Sequence, residues 1–253
     1  MKAAVVGGTG LAGRHVVDAL QARGVDTVVL SRRGGVDVAT GAGLDEALSG
    51  VQRVVDASNA GTTDEAAARA FFTAAGRHLQ QAGERAHVER LVVLSIVGVD
   101  RASGGYLATK LDHERTARSG TVPTFVLRST QFHEFAGQTL AWGRQGDVCW
   151  IPEFLVQPVA VAAMARVLAD LVLAMDPRPG VSEVAGPQQE KLVDMATRLA
   201  ARRGDPVEVR GAPDDSADGR AFAGGALLPD PGATITGPTF QEWLDAGERD
   251  RFE

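Results

Sequence analysis

The first thirty residues of the chain constrain its fold most strongly. A short apolar run at residues 3–6 leads into a glycine-rich turn, and an apolar pattern of helical period follows as far as Leu20. A second apolar run occupies residues 27–30. Strand, turn, helix and strand in this order predict a βαβ unit, because two consecutive parallel strands need a crossover between them.

The turn has the spacing G-x-x-G-x-x-G, with glycines at Gly7, Gly10 and Gly13. The first glycine lets the chain turn sharply off the strand, the second lets backbone N–H groups approach a pyrophosphate, and the third lets helix and strand pack closely. The positive end of the helix dipole points at the same place. We therefore predict a dinucleotide site here, although glycines also cluster in ordinary tight turns. The other predicted contacts of this loop are Thr9, Leu11 and Ala12.

The second strand ends in Ser31, Arg32 and Arg33. In folds of this kind the tip of that strand meets the adenosine ribose, where a carboxylate suits a free 2′-hydroxyl and an arginine suits a 2′-phosphate. The tip therefore favours NADP(H) over NAD as the cofactor. Two solvated arginines at a strand end are the alternative interpretation.

Further along, strands and helices continue to alternate. Strands are predicted at residues 36–38, 53–57, 91–94 and 122–127. The alternation predicts an α/β fold with a doubly wound, Rossmann-type parallel sheet and ligands at the carboxyl ends of its strands. Two of these strands add cofactor candidates, namely Asp37 near the adenine and the small residues Ala57 and Ser58 under the cofactor. An aspartate that begins a surface turn is the alternative interpretation of Asp37.

Three polar residues predict acid/base chemistry. Ser95 ends the strand at 91–94, and Tyr106 and Lys110 follow four residues apart on one face of the next predicted helix. A phenol titrates near ~10, and a neighbouring ammonium favours its phenolate form. Tyr106 is therefore a candidate acid or base, and the Ser95 hydroxyl can donate a hydrogen bond to a substrate carbonyl oxygen.

These motifs together resemble the short-chain dehydrogenase/reductase superfamily. The carrying features are the GGTGLAG turn, the Ser31-Arg32 tip, Ser95 and the YLATK motif at Tyr106. Three later stretches resemble the atypical, NmrA-like branch, and with them the resemblance extends over nearly the whole chain: LRSTQFHEF at 127–135, PVAV from 158, and GALLP followed by TFQEWL.

The resemblance implies a role for each catalytic candidate. Tyr106 would be the acid/base, Lys110 would lower its pKa and bind the nicotinamide ribose, and Ser95 would orient the substrate. The interval from Ser95 to Tyr106 is slightly shorter than the family's usual one. The implied function is an NADP(H)-dependent oxidoreductase acting on a carbonyl, enone or quinone. The alternatives are a non-catalytic NADP-binding sensor and, third, a nucleotide-sugar epimerase or dehydratase.

The chain is predicted to divide into a dinucleotide-binding core, residues 1–130, and a smaller C-terminal part, residues 131–253, that completes the sheet and binds substrate. Aromatic residues are concentrated after the strand at 122–127, which is typical of the wall of an apolar pocket. The candidates for this pocket are Phe132, His133, Trp142 and Trp150. A histidine beside aromatic residues can also be a purely structural hydrogen-bonding group.

Composition excludes several other classes. The formal net charge of -6 argues against a nucleic-acid partner, and the apolar stretch at 158–175 is interrupted by Arg166 and Asp170, which argues against a membrane span. The five histidines are scattered and Cys149 is the single cysteine, so neither a metal site nor a disulfide is expected. We expect a cytoplasmic monomer or homodimer that binds a small molecule.

Overall fold

Strands and helices alternate through residues 1–129. The computed structural model describes residues 1–175 and 179–247, and the chain forms two units, Met1–Arg128 with Ala165–Ser182, and Ser129–Met164 with Glu183–Glu253. The elements up to residue 129 are β1 (Lys2–Val6), α1 (Leu11–Gln21), β2 (Asp26–Leu30), the 3₁₀ helix Arg32–Gly34, α2 (Leu44–Ala47), β3 (Arg53–Asp56), α3 (Glu65–Arg85), β4 (Arg90–Ile96), α4 (Gly105–Arg118) and β5 (Thr124–Ser129).

The sheet of the first unit has the strand order β5-β4-β3-β1-β2. β1 pairs in parallel with both β2 and β3, so that Val6 lies opposite Leu30 on one side and opposite Asp56 on the other. β3 pairs in parallel with β4. The direction of chain progression reverses between β1 and β3, and in open parallel sheets ligands bind outside the carboxyl ends of the strands at such a point.

Both faces of this sheet are covered. Alternate strand residues such as Ala4, Val54 and Leu91 belong to one buried cluster with Leu44 of α2 and Leu79 of α3. Intervening residues of the three neighbouring strands β1, β3 and β4, such as Val5, Val55 and Val92, are buried as well, and the two-residue period of a strand puts them on the opposite face. α1 buries three apolar side chains that lie outside the cluster: Val16, Val17 and Leu20. The predicted doubly wound, Rossmann-type fold is therefore confirmed.

The predicted strand at residues 36–38 is wrong. Asp37 makes only an isolated antiparallel bridge with Ala42, and its carboxylate accepts a hydrogen bond from the N–H of Ala39 at 2.9 Å. An aspartate that satisfies a backbone donor two residues ahead stabilises a turn, which competes with strand pairing.

Most elements beyond β5 are short, and the chain there belongs to the second unit except for Ala165–Ser182, which belongs to the first. The chain beyond β5 contains α5 (Phe135–Gly143), β6 (Arg144–Gln145), β7 (Val148–Pro152), β8 (Leu155–Val156), α6 (Val161–Leu173), β9 (Val181–Ala185), β10 (Glu190–Lys191), α7 (Leu192–Arg202), β11 (Glu208–Ala212), α8 (Ala217–Ala223), β12 (Thr234–Ile235) and α9 (Phe240–Asp245). β7 pairs antiparallel with β6 and in parallel with β11, and α7 packs against β7 and α5. The run at 176–180 predicts a turn, but residues 176–178 lie outside the described residues.

A capping box begins α9. The Thr239 side chain accepts from the N–H of Glu242, and the Glu242 carboxylate accepts from the N–H of Thr239. In the described ranges we find no helix with the length and apolarity that crossing a membrane requires.

Candidate active site

Two glycines of the N-terminal loop are required by the fold itself. Gly7 has a φ of 71°, and a Cβ atom there would lie 2.7 Å from the carbonyl oxygen of Ala57. A Cβ atom on Gly13 would lie 2.1 Å from the carbonyl oxygen of Gly7. Neither position can accept a side chain unless the backbone moves, so α1 and the loop are held close to the ends of β1 and β3.

Gly10 differs from these two. Its φ of -80° and ψ of 175° are open to any residue, and a Cβ atom would meet only the oxygen of Gly7, at 3.3 Å. Gly10 is the N-cap of α1, yet no side chain accepts a hydrogen bond from the first turn. The N–H groups at the start of a helix have no partner within it, so those of Leu11 and Ala12 remain available to a ligand. Thr9 and Gly10 are exposed beside them.

The loop therefore fits the pyrophosphate of a dinucleotide. An exposed helix N-terminus stabilises an anion through unpaired N–H groups and the helix dipole, without a cationic side chain. The backbone conformation at Gly10 does not require glycine, but the absence of a side chain there leaves room for the ligand to approach the main chain. Gly7, Gly10 and Gly13, with Thr9, Leu11 and Ala12, are the residues that would hold it.

The tip of β2 carries exposed positive charge. Ser31 caps the short 3₁₀ helix, since its hydroxyl oxygen accepts from the N–H of Gly34 at 3.3 Å. Arg32 and Arg33 are exposed. The Ser31 O–H and the two guanidinium groups are donors, as a phosphate requires. Asp37 is tied into its own turn instead and is half-buried.

Ser95 lies one residue before the end of β4. Its residue exposure is 2%, and its hydroxyl oxygen finds no hydrogen-bond partner among the described residues. Most buried polar side-chain atoms in proteins are hydrogen-bonded, so such an atom calls for a partner. A substrate oxygen is one partner of the required kind.

Tyr106 is the second residue of α4, which is held at this end by α3. The Glu65 carboxylate accepts from the N–H of Gly105 at 2.8 Å. The Tyr106 hydroxyl donates to Asn59 Oδ1 at 3.0 Å, and its ring makes an edge contact with Phe72 at 5.9 Å between centroids. Burial raises the pKa of Tyr106 to about 12. The phenol is therefore protonated near neutrality, and the lowered pKa expected from a neighbouring lysine is not seen in this structure.

Lys110 lies one turn further along α4 and is 4% exposed. Its ammonium donates to the carbonyl oxygen of Leu94 at 2.9 Å and lies 4.6 Å from the centroid of Phe72. Burial lowers the pKa of Lys110 to about 8, although the charges of Asp56 and Glu114 oppose the shift. Tyr106 and Lys110 thus both contact the ring of Phe72. Lys110 also contacts Leu94, the residue that precedes Ser95.

Sequence reasoning missed two residues beside Lys110. His113 Nδ1 lies 3.3 Å from Lys110 Nζ, and His113 Nε2 lies 2.9 Å from Asp56 Oδ2. Both side chains are completely buried, and the His113 ring stacks on Phe72 at 4.9 Å. The available signal was the three-residue spacing from Lys110 to His113, which puts both on one helix face.

The pKa values of this pair are both lowered. Burial alone raises the pKa of Asp56, but the contact with His113 and the N–H of Ser58 outweigh it and hold the pKa at about 2. Burial lowers the pKa of His113, and the Lys110 charge adds to the effect. In the interior, the Asp56 carboxylate therefore contacts the neutral His113 imidazole, and the imidazole contacts the Lys110 ammonium.

A second buried charge pair anchors α4 to β5. The Arg128 guanidinium makes two parallel hydrogen bonds with the Glu114 carboxylate, each of 2.9 Å, and a third with Asp100 at 2.6 Å. Paired bonds of this kind restrict orientation as well as distance. α4, which carries Tyr106 and Lys110, is therefore held against the sheet at a defined rotation.

The four predicted pocket residues lie in the second unit and contact different partners. His133 is buried, and its Nε2 lies 3.1 Å from the carbonyl oxygen of Pro238. Phe132 bridges to Val159. Trp142 is 61% exposed and meets the edge of Phe135, while Trp150 is 38% exposed and lies under the guanidinium of Arg210. Their role in a substrate pocket stays a prediction. Within the described part of the chain, no three His, Cys, Asp or Glu side chains are grouped as a metal site requires.

Solved structures with the same fold match nearly the whole chain. MoeE5 in complex with UDP-glucuronic acid and NAD has a TM-score of 0.71 at 19% identity, over 98% of this chain and 99% of that one. The dTDP-4-dehydrorhamnose reductase from Bacillus anthracis str. Ames, in complex with NADP, has a TM-score of 0.70 at 14% identity, over 96% and 97%. The NADPH-dependent quinone oxidoreductase QOR2 from Escherichia coli, complexed with NADPH, has a TM-score of 0.67 at 18% identity, over 96% and 99%.

At these identities the likeness shows the Rossmann-type fold. No protein-family model matches the chain, and no curated protein matches it.

Proposed function

We propose that this protein is an NADP(H)-dependent oxidoreductase of the short-chain dehydrogenase/reductase type. Its substrate would be a carbonyl, enone or quinone of an apolar small molecule. The observation that carries the proposal is the arrangement of Tyr106 and Lys110, which lie one helical turn apart on Phe72 beside the carboxyl end of β4. The NmrA-like motifs from residue 127 onward support the atypical branch of that superfamily.

The cofactor proposal depends on the loop and the β2 tip. The first turn of α1 offers N–H groups to a pyrophosphate, and Ser31, Arg32 and Arg33 offer donors to a 2′-phosphate. Structures of the same fold have been solved with NAD and with NADPH, and the arginines favour the phosphorylated form here. When bound, NADPH supplies the hydride.

Three residues act on the substrate in this proposal. The Tyr106 hydroxyl gives its proton to the substrate oxygen, so that a carbonyl receives one hydride and one proton and becomes an alcohol. The high pKa of Tyr106 keeps that proton in place near neutrality, before substrate arrives. The Lys110 charge stabilises the phenolate that remains, and Ser95 donates a hydrogen bond to the same substrate oxygen.

Two other functions have specific support. A sensor that binds NADP without turnover is consistent with the Tyr106 hydroxyl being engaged by Asn59. Action on a nucleotide sugar is suggested by the fold likeness to MoeE5 and to dTDP-4-dehydrorhamnose reductase. We rank the sensor second, because Tyr106 and Lys110 occur together, and action on a nucleotide sugar third, because the aromatic residues after β5 suggest an apolar ligand. We also propose a cytoplasmic monomer or homodimer.

The test is NADPH oxidation against a panel of ketones, enones, quinones and nucleotide 4-keto sugars, with wild type and Tyr106→Phe. Loss of a group that transfers a proton lowers turnover by a factor of about 10² or more. The phenylalanine variant keeps the ring contact with Phe72, so its NADPH affinity should stay near that of wild type. Gly10→Ala is the matched binding control, because the fold tolerates the methyl group while the ligand does not.

The outcomes separate the three functions. Turnover of an apolar panel member that Tyr106→Phe abolishes supports the reductase, and turnover of sugar nucleotides alone supports the third function. Tight NADPH binding with no turnover of any member favours the sensor. Equal turnover by wild type and Tyr106→Phe would remove Tyr106 from its proposed role.

A further inference from the structure

A chain of hydrogen bonds reaches Lys110 from the interior of the first unit. We propose that Asp56 and His113 are positioning residues for Lys110: Asp56 holds the one tautomer of His113 whose ring nitrogen accepts from the lysine ammonium. This inference rests on the proposed function, because it assigns Lys110 a contact with the nicotinamide ribose and with Tyr106. Neither Asp56 nor His113 would touch substrate.

The direction of each hydrogen bond follows from the partners. Asp56 Oδ1 accepts from the N–H of Ser58 at 2.9 Å, and Oδ2 lies 2.9 Å from His113 Nε2. An ionised carboxylate only accepts, so Nε2 must carry the imidazole proton. The other ring nitrogen, Nδ1, is then an acceptor, and it faces the Lys110 ammonium at 3.3 Å.

Lys110 has three N–H donors, and two of them are used. One is donated to the carbonyl oxygen of Leu94 and one to His113 Nδ1, while the ring of Phe72 covers another side of the ammonium. One donor therefore remains for a ligand. A flexible lysine side chain whose other donors are committed presents the last one in a defined direction, which lowers the entropy lost when the ligand binds.

The surroundings of Lys110 leave His113 as its side-chain acceptor. The titratable groups facing it are Asp56 from β3, with Tyr106, His113 and Glu114 from α4. Glu114 accepts from Nε and Nη2 of the Arg128 guanidinium, and Asp56 reaches the lysine through the imidazole. Phe72 contacts Tyr106, Lys110 and His113 with one ring, so a turned imidazole would disturb all three.

Asp56→Asn reverses the chain of hydrogen bonds without changing its shape. The N–H of Ser58 still requires an acceptor, so the amide oxygen takes the place of Oδ1 and the NH₂ group faces His113 Nε2. His113 must then accept at Nε2 and carry its proton on Nδ1, directly opposite the Lys110 ammonium. Two donors face each other, and the lysine loses this anchor. An aspartate that fixes a histidine tautomer is known to be sensitive to this substitution.

The experiment has two readouts. Long-range ¹H–¹⁵N spectra of wild type at pH 7 should show neutral His113 with its proton on Nε2, and those of Asp56→Asn should show it on Nδ1. NADPH affinity of Asp56→Asn should fall about tenfold, as expected for one misdirected hydrogen bond. His113→Asn keeps an oxygen acceptor near the position of Nδ1, so it should retain affinity within about threefold of wild type.

Several results would overturn the proposal. A wild-type His113 that at pH 7 carries its single proton on Nδ1, or carries protons on both ring nitrogens, contradicts it even if no variant folds. A tautomer switch in Asp56→Asn with unchanged NADPH affinity would mean that the pair only joins β3 to α4. If wild type binds no NADPH, the proposed function fails instead. The positioning role is then tested by the Lys110 Nζ resonance, and an identical resonance in wild type and Asp56→Asn would overturn it.

Discussion

The two buried histidines of this protein show how differently one residue type can be used. His113, in the first unit, lies between a carboxylate and an ammonium and is hydrogen-bonded at both ring nitrogens. His133, in the second unit, contacts the Pro238 carbonyl through Nε2 and packs on the rings of Phe240 and Trp243, and its Nδ1 has no partner among the described residues. One belongs to a charged network and the other to an aromatic cluster.

Burial of a histidine therefore does not reveal its role. Both side chains are inaccessible to solvent, and burial lowers the pKa of both. What separates them is the second ring nitrogen, which is engaged in His113 and orphaned in His133. A histidine bonded at both nitrogens transmits the position of one neighbour to the other.

The largest expected effect is from His113→Leu. Leucine is close to histidine in size but leaves the charges of Asp56 and Lys110 without the group that joins them. Removing one member of a buried charged network costs about 3–5 kcal/mol, because the remaining charges lose their hydrogen bonds. Urea denaturation at pH 7 measures the free energy of unfolding, and a loss below about 1 kcal/mol would contradict the network described here.

The same substitution in the other histidine should cost far less. His133→Leu removes one hydrogen bond to a backbone carbonyl, worth about 1 kcal/mol, and also removes the orphaned Nδ1. We expect a free energy of unfolding within about 1 kcal/mol of wild type at pH 7. Equal losses in His113→Leu and His133→Leu would break the comparison between the two regions.

The pH dependence of the free energy of unfolding provides a separate test of His133. Burial holds its folded-state pKa at about 4, below the unfolded value of 6.5, so the unfolded chain binds more protons between these values. Stability therefore falls as the pH drops from 7 towards 4, by on the order of 2 kcal/mol at pH 5 from this group. Asp56 adds little to this window, because its stabilising contribution is present above its unfolded value of 3.8 and is lost as the pH falls from there through about 2.

Urea denaturation of wild type and His133→Leu at pH 7 and pH 5 measures this contribution. The variant should lose less stability than wild type between the two values, while His113 contributes equally to both proteins. Parallel losses in the two proteins would show that His133 does not titrate in this range.

The smallest effect should come from Trp142→Ala. The Trp142 side chain is 61% exposed, and its ring contact is an edge contact with Phe135 at 6.3 Å. The free energy of unfolding should change by less than about 1 kcal/mol. If Trp142 lines the substrate pocket, KM rises while NADPH affinity stays constant, and an unchanged KM would remove it from the predicted pocket.

Local patterns were sufficient for the fold of the first unit. The glycine spacing, the apolar runs and the alternation of strands with helices depend on residues that are neighbours in sequence, and each element type follows from a period that can be counted. The exception at residues 36–38 has a local cause too, since the Asp37 carboxylate stabilises a turn there. The sequence pattern alone does not distinguish such a turn from a short strand.

Local sequence is enough to predict the strand, loop and helix that suit a dinucleotide, and the spacing that puts Tyr106, Lys110 and His113 along one helix. Which histidine meets charged groups depends on tertiary packing. Asp56 and His113 are 57 residues apart in the chain, and their pairing depends on how α4 packs over the end of β3. Periodicity reports which way a side chain points within its own element. The partner it meets is set by the packing of elements that are distant in sequence.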